Sequence, residues 1–528
     1  MRTFSSYGPI DIEFNYYVPR QRLIDQASQE LLGEDANKGG HYITVWAPRQ
    51  AGKSWIMQQV LWRLWKDERF DTIKLNLEHL KMTEEVIHVI QVITSEITEI
   101  LKLPDIKING LENFYTLFKP TTLKKPLILI MDEFDALHPN AISGIAGVFR
   151  NIYNARRDSS LPSAQKPYLL HGVALMGVRA VLGVENVTGS PFNVQRSLHI
   201  PNLTPAEVTE MFTWYQQESG QKIEDQVVER VYYEFQGQPG LTCWFGELLT
   251  EEYNKHQPTI TMRDFENVYG LATNALPNNN ILNIISKAKQ EPYQKLLLDM
   301  FKTEEKIEFR YDDPIMNYLY MNGVVSYELV DESTHYLKFP CPFVQKRLFN
   351  YFAYQFFGKS GRLYQPFEDL SDTITEDSLN VANLLRRFGQ YLDKNRHWLL
   401  KNAPRRSDLR LYEAVYHFNL YRYLTDFMRR RGGQVLAEFP TGNGQIDLII
   451  RYAGQVFGIE VKSYSDKAEY DKGLVQAARY AKKLALTEIT LALFVEAVPE
   501  TERLKYEIDY QQDGITVKPV FVEVGSSE

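Results

Sequence analysis

The segment His41-Tyr42-Ile43-Thr44-Val45-Trp46, followed at once by Ala47-Pro48-Arg49-Gln50-Ala51-Gly52-Lys53-Ser54, constrains this chain more than any other. A short apolar run leads into a loop ending in Gly-Lys-Ser. Trp55, Ile56, Val60, Leu61 and Leu64 then recur at helical spacing. Strand, loop and helix in that order make a phosphate cradle, because the loop and the helix N-terminus aim several backbone N–H groups at one point. Lys53 supplies a point charge to the outer phosphates, and the Ser54 hydroxyl is placed to hold Mg²⁺. Ala47 stands where the usual pattern has its first glycine.

A second half of the site is expected at an acidic strand end. Residues 127–131 read Leu-Ile-Leu-Ile-Met, a continuous apolar run of the kind found in a parallel strand covered on both faces. Asp132-Glu133-Phe134-Asp135 follows. In a P-loop ATPase Asp132 would hold Mg²⁺ through water and Glu133 would polarise the attacking water. The alternative is that Asp132 caps the next helix.

Apolar runs at 42–46, 72–77, 127–131, 169–176 and 197–200 alternate with amphipathic stretches, which implies a parallel sheet with helices on both faces. Residues 206–269 read as a helical lid, interrupted by Gly237-Gln238-Pro239-Gly240. Residues 281–352 read as helices followed by a two-stranded hairpin. After a linker at 366–380 come helical patterns at 381–431 and strand-like runs at 435–439, 446–452 and 456–461. A helix at 472–486 and a strand at 489–495 follow. The expectation is an α/β multidomain chain: a parallel-sheet P-loop core at 1–203, a lid at 204–275, a winged-helix-like domain at 276–360, a linker and helical connector at 361–405, and an α/β domain at 406–528.

Length and composition agree: 528 residues, 44% hydrophobic and 24% charged, suit several buried cores. The net charge of -8 argues against a broad nucleic-acid-coating surface, although a local basic channel stays compatible with it. Two cysteines, Cys243 and Cys341, read as reduced buried thiols. The first twenty residues lack a signal-peptide pattern, and no apolar run approaches eighteen residues. A cytoplasmic location without membrane contact is expected.

Tyr16-Tyr17-Val18-Pro19-Arg20, the loop at 47–54, the acidic run at 132–135 and the turn at 237–240 together resemble the AAA-like P-loop ATPases related to archaeal ATPases and STAND NTPases. Ser190-Pro191-Phe192-Asn193, after a strand ending in Gly177-Val178-Arg179, fits the same pattern. The resemblance covers about residues 14–249. It implies ATP held by Val18 and Arg20 beside the adenine and by Pro48, Arg49, Gln50, Ala51, Gly52, Lys53, Ser54 and Trp55. Asp132 would serve the metal and Arg179 would act as a sensor. Arg196 would be an arginine offered to a neighbour's nucleotide, which leaves a homo-oligomer through this domain open.

A second constellation lies near the C-terminus. Gly444-Gln445-Ile446-Asp447-Leu448-Ile449-Ile450 is followed, after a short turn, by Val456-Phe457-Gly458-Ile459-Glu460-Val461-Lys462. Strand alternation puts Glu460 and Lys462 on one face, and a hairpin brings Asp447 beside them. Paired carboxylates bind divalent cations through oxygen, and a lysine there orients water and offsets developing charge. A carboxylate inside an Ile-Asp-Leu-Ile-Ile run is costly unless it is paired or holds metal.

This pattern resembles the PD-(D/E)xK nuclease superfamily in its RecB-like branch, over about residues 408–495. The resemblance implies Mg²⁺, with Mn²⁺ as a substitute, held by Asp447, Glu460 and a helix-borne Glu413. It places Gln476 and Tyr480 of the following helix toward the site and Glu438 nearby. Ile446 stands where the superfamily's name has proline. Arg405, Arg406, Arg410 and Arg429 to Arg431 would track a phosphate backbone or offset a helix dipole. The leading expectation is an ATP-regulated nuclease acting on nucleic acid, DNA first, as in prokaryotic defence or mobile elements. The alternative is a STAND-like switch whose nuclease-like domain binds nucleic acid or a partner without cutting.

Overall fold

The computed structural model describes residues 2–6, 8, 10–35, 38–157, 165–177, 195–302, 306–329, 334–358, 361–401, 413–439, 447–463, 467–495 and 497–524, with backbone alone at 195, 302, 413, 447, 463 and 483. Two compact units result: Met1–Val268 with Arg310–Val325, and Tyr269–Phe309 with Ser326–Glu528.

In the first unit α1 (Gln21–Leu32) leads to β1 (Tyr42–Trp46), α2 (Lys53–Leu64), β2 (Asp71–Asn76), α3 (Val86–Ile100), the short α4 (Leu111–Phe114), β3 (Leu127–Asp132), α5 (Pro139–Arg157), β4 (Leu170–Gly177) and β5 (Gln195–His199). The sheet is parallel, in the order β2-β3-β4-β1-β5. Every residue of β3 is buried because the two faces of the strand feed different layers. Leu127, Leu129 and Met131 pack with Val89, Ile93, Ile97, Phe149 and Ile152 of α3 and α5. Ile128 and Ile130 pack with Ile24, Leu31, Ile56 and Val60 of α1 and α2. The apolar run without alternation is thus the signature of a sheet covered on both sides.

A helical segment follows: α6 (Pro205–Ser219), β6 (Lys222–Ile223), α7 (Asp225–Phe235), α8 (Pro239–Glu247), β7 (Thr259–Ile260) and α9 (Met262–Asn274). Helix α6 starts on a capping box. The Thr204 hydroxyl accepts from the Glu207 N–H at 3.2 Å, and the Glu207 carboxylate accepts from the Thr204 N–H at 2.7 Å. Two otherwise unsatisfied N–H groups are paired this way. Gly237, at φ 64°, makes the turn before α8, and a Cβ there would lie 1.9 Å from the Leu203 carbonyl oxygen.

The next elements are α10 (Asn279–Ala288), α11 (Tyr293–Lys302), α12 (Pro314–Met321), β8 (Ser326–Leu329), β9 (His335–Lys338) and α13 (Pro342–Phe356). Strands β8 and β9 form the expected antiparallel hairpin. Residues 276–360, read from sequence as one winged-helix-like domain, are divided between the two units. Helix α12 lies in Arg310–Val325 and belongs to the first.

The second unit continues with α14 (Val381–Leu399), α15 (Glu413–Arg429), β10 (Gln434–Glu438), β11 (Asp447–Tyr452), β12 (Gln455–Ser463), α16 (Lys467–Lys483), β13 (Glu488–Val495), α17 (Glu500–Tyr506), β14 (Tyr510–Gln512) and β15 (Ile515–Glu523). The sheet order is β10-β11-β12-β13-β15-β14. Strands β10, β11 and β12 are antiparallel neighbours, whereas β12, β13 and β15 run parallel. One face packs Leu491, Leu493, Val517 and Phe521 against Leu474, Ala477 and Ala481 of α16. On the other, Phe494 meets Phe388 of α14 and His417 of α15. Strand β15, beyond the last strand read from sequence, sits inside this sheet, between β13 and β14.

Candidate functional site

The loop between β1 and α2 has the shape its sequence demands. Gly52 sits at φ 88° immediately before α2, a conformation in which a side chain would be strained. Lys53 is buried, and its ammonium donates to the carbonyl oxygens of Ala47 at 2.8 Å and Pro48 at 3.1 Å. Burial lowers the Lys53 pKa, while Glu133, Asp135 and Asp132 pull it back up. Such an ammonium gains by exchanging loop carbonyls for phosphate oxygens.

Asp132 is buried at the C-terminal end of β3, and Glu133 follows with φ 55°. Burial first, then Asp135 and Asp132, raise the Glu133 pKa, whereas Lys53 opposes the shift. Asp132 does not cap a helix of any length. Its carboxylate accepts from the adjacent Glu133 N–H at 3.1 Å and pairs with Lys74 of β2 at 3.1 Å. Lys74 escaped the sequence reading because it lies on a strand separated from Asp132 by more than fifty residues.

A cavity of about 870 Å³ opens over this loop. Arg49, Gln50, Ala51, Gly52, Lys53, Ser54 and Trp55 line it, together with Lys74 and Glu133. The structure therefore brings most of the expected nucleotide residues to one concavity. Pro48, Val18, Arg20 and Asp132 are not among the lining residues. Val18 is buried. Arg20 is held elsewhere, by the Pro201 and Asn202 carbonyls at 2.7 and 3.2 Å and by Glu207 at 3.4 Å. In their place the wall includes Ser5, Ser6, Ile10 to Glu13, and Trp62. Arg179 and the 190–193 stretch lie outside the described residues. Arg196 pairs with Glu30 of the same chain at 2.9 Å.

The lid turn touches the loop directly. Gly240 N–H donates to the Gln50 carbonyl at 3.1 Å, and the Gln238 amide donates to the Arg49 carbonyl at 3.0 Å. A Cβ on Gly240 would meet the Gln50 side chain at 2.5 Å, which accounts for glycine there.

In the second unit the register aligns three acidic positions across three strands. Glu438 of β10 stands opposite Asp447 of β11, and Asp447 stands opposite Glu460 of β12. Residues directly opposite in an antiparallel pair share a face, and Lys462, two residues on from Glu460, shares it too. Glu460 and Lys462 are both buried, with Lys462 Nζ 3.4 Å from a Glu460 oxygen. Helix α16 covers this face. A Cβ on Gly473 would lie 3.5 Å from Leu491 and 3.9 Å from the Lys462 side chain. Gln476 and Tyr480 follow Gly473 by three and seven residues, on the same helix stripe. Glu413 begins α15, and the described part of Glu413 and Asp447 is the backbone. Among the described residues no group of three His, Cys, Asp or Glu side chains stands ready to hold a metal.

One partner was not legible in the sequence. Lys346 of α13, itself buried, reaches Glu438 at 3.0 and 2.9 Å and lies 5.0 Å from the Tyr269 ring. Of the basic residues expected to follow a phosphate backbone, Arg405, Arg406 and Arg410 lie outside the described residues, and Arg429 and Arg430 are exposed at the end of α15. Among the described residues no helix is long and apolar enough to cross a membrane.

Residues 5–257 match the family model of the AAA-like domain. No curated protein matches the sequence. Similar solved structures include a Walker-type ATPase of Pyrococcus abyssi, 11% identical over 65% of this chain and 99% of that one, with a TM-score of 0.42. The Aeropyrum pernix ORC1 protein in complex with DNA is 16% identical over 63% of this chain and 93% of that one, with a TM-score of 0.32. Cdc6p of Pyrobaculum aerophilum is 14% identical over 63% and 94%, with a TM-score of 0.35. The matched family and the Gly52–Lys53–Asp132 geometry agree: residues 5–257 form an AAA-like P-loop ATPase domain.

Proposed function

We propose that this chain couples ATP binding and hydrolysis in its N-terminal domain to divalent-metal-dependent cleavage of nucleic acid by its C-terminal sheet. The observation that carries the second half is the register of Glu438, Asp447 and Glu460 across β10, β11 and β12, with Lys462 on the same face. Three carboxylates on neighbouring strands fit a hard cation with oxygen ligands, Mg²⁺ or Mn²⁺. Asp447 and Glu460 would hold it, Glu413 would add a ligand from α15, and Lys462 would orient the attacking water. Gln476 and Tyr480 would position substrate. Bound metal would supply Lewis acidity toward the phosphodiester. In the ATPase domain Lys53, Ser54 and Asp132 would hold Mg²⁺·ATP and Glu133 would align water. DNA is the proposed substrate and prokaryotic defence or mobile-element biology the proposed setting, with a cytoplasmic location. The P-loop core and the C-terminal α/β domain read from sequence are proposed to be units of action, with the helical segment after the core relaying nucleotide state.

The test is a cleavage assay on plasmid, single-stranded DNA and RNA, with Mg²⁺ or Mn²⁺, with and without ATP. Metal-dependent cutting lost in Glu460→Ala supports the reading. Binding without cutting under every condition replaces it with a non-cutting switch. One observation favours that second reading: Glu438 is already engaged by Lys346, an ammonium where a cation-binding carboxylate would otherwise be open.

A further inference from the structure

A second cavity, of about 650 Å³, lies in the second unit between Gly358 with residues 361–366 and the C-terminal half of α15. Arg362, Arg422, Arg429 and Arg430 line it, with Asp426 as the acidic member of the wall and Tyr364 beside them. Four guanidiniums against one carboxylate is a marked concentration of positive charge in a chain whose net charge is -8.

The arginines are not equivalent. Arg422 is buried and fixed: its guanidinium meets both Asp426 oxygens at 3.1 and 2.9 Å, donates to the Phe357 carbonyl at 3.1 Å and lies 4.0 Å from the Tyr354 ring. Arg429 is exposed and contacts the same Asp426 at 3.7 Å and the Tyr354 hydroxyl at 3.2 Å. Arg362 and Arg430 are exposed and have no ion-pair partner among the described residues. Asp426 is thus committed to Arg422 and Arg429, and the charge on Arg362 and Arg430 is left for something else.

Compensation of the α15 dipole does not account for the cluster. The end of α15 is served by Arg431, whose guanidinium donates to the Phe427 carbonyl at 2.7 Å. Arg362 stands on a loop, outside any helix. A surface that tracks a duplex spreads its cations along the path of the backbone, whereas these converge on one concavity of small-ligand size. At about 1.5 Å per residue, the length of α15 sets Arg429 roughly 24 Å from Glu413, so the cavity is separate from the proposed metal ligand on that helix.

We infer that this cavity binds a terminal phosphate group, a phosphomonoester or diphosphate. Arg362 and Arg430 grip the oxygens in the forked geometry that guanidinium offers, and the Arg422–Asp426 pair fixes the floor. The group belongs either to a small phosphorylated molecule or to the 5′ end of a nucleic-acid strand. The inference does not depend on cleavage by the C-terminal sheet.

The experiment titrates inorganic pyrophosphate into full-length Lys53→Ala protein, which weakens the ATPase site, and into the same protein carrying Arg362→Ala and Arg430→Ala. Both added substitutions are on exposed side chains, and a thermal melt checks that the fold is kept. Binding weakened about tenfold or more by the arginine changes is the expected result. Equal affinity in the two proteins, or no binding to the Lys53→Ala protein, overturns the inference. Oligonucleotides with 5′-phosphate or 5′-hydroxyl ends then separate the sources. A preference for the phosphorylated end that disappears with Arg362 and Arg430 assigns the strand end. Pyrophosphate binding without that preference assigns the small molecule.

Discussion

Lys74 Nζ lies 3.1 Å from the Asp132 carboxylate and 3.3 Å from the Ser54 carbonyl oxygen, so a strand-borne ammonium neutralises the group proposed to serve the nucleotide's Mg²⁺. An ammonium and a divalent cation compete for one carboxylate. Lys74→Met is expected to lower the Mg²⁺ concentration that half-saturates ATP hydrolysis by about fivefold, the equivalent of roughly 1 kcal/mol. Mg²⁺ titration of turnover at saturating ATP measures it, and an unchanged or raised half-saturation point would show that Lys74 does not oppose the metal.

The two acidic and basic centres of the ATPase site separate binding from turnover. Lys53→Ala removes the charge facing the phosphates and should abolish ATP binding or turnover. Glu133→Gln keeps the shape, so ATP should still bind while hydrolysis falls by about 100-fold or more. Fluorescent-nucleotide binding and phosphate release, measured on the same preparations, distinguish the two. Turnover near wild type in Glu133→Gln would remove Glu133 from its proposed role.

Glu133 also carries a stability signature. Its folded pKa is raised above 4.5, chiefly by burial, so the folded protein holds that proton to higher pH than the unfolded chain does. Ionised Glu133 therefore costs stability at pH 7. Glu133→Gln should melt at a higher temperature than wild type at pH 7, and the gain should vanish as pH falls below the unfolded value. A melting curve without that pH-dependent gain would count against the buried, repelled carboxylate.

His171 behaves in the opposite sense. Burial first, with the neighbouring Arg156, brings its pKa down to about 4, although the Leu32 carbonyl at 2.9 Å opposes the shift. The folded state thus binds fewer protons than the unfolded chain between 6.5 and about 4. The stability its neutral form gives is complete above 6.5 and is lost as pH falls through that window. The loss amounts to about 3 kcal/mol at most. Chemical denaturation at pH 7 and pH 4.5 should show a smaller acid loss for His171→Gln than for wild type; equal losses would assign the acid sensitivity elsewhere.

At the C-terminal sheet Asp447→Ala, Glu460→Ala and Lys462→Ala should each abolish Mg²⁺- or Mn²⁺-dependent cleavage, while Lys462→Ala spares metal binding more than the other two. Gln476→Ala and Tyr480→Phe should cost less, because they would act on substrate position. Cleavage rates paired with Mn²⁺ affinity give the ordering. Full activity in Glu460→Ala would dissociate cutting from this sheet.

The continuous apolar run at 127–131 and the Gly-Lys-Ser loop were legible because local periodicity and backbone geometry write themselves into neighbouring residues. So was the hairpin that sets Asp447 against Glu460. Lys74 with Asp132, and Lys346 with Glu438 ninety-two residues away, were not. An ion pair between distant segments leaves no period in either. The wall formed by Ser5, Ser6 and Ile10 to Glu13 was missed for a related reason, since an irregular segment has no repeat to read. Strand β15, Ile515 to Glu523, was not read from the sequence, and nothing local says that it enters the sheet between β13 and β14.

The hydrogen bonds from Gly240 to Gln50 and from Gln238 to Arg49 make the start of α8 a reporter of the shape of the phosphate loop. Linkage then works in both directions. If nucleotide alters the carbonyl positions of Arg49 and Gln50, it performs work on the turn at 237–240. A partner that grips α8 performs the same work on the loop, and so tunes nucleotide affinity by an equal factor without entering the pocket.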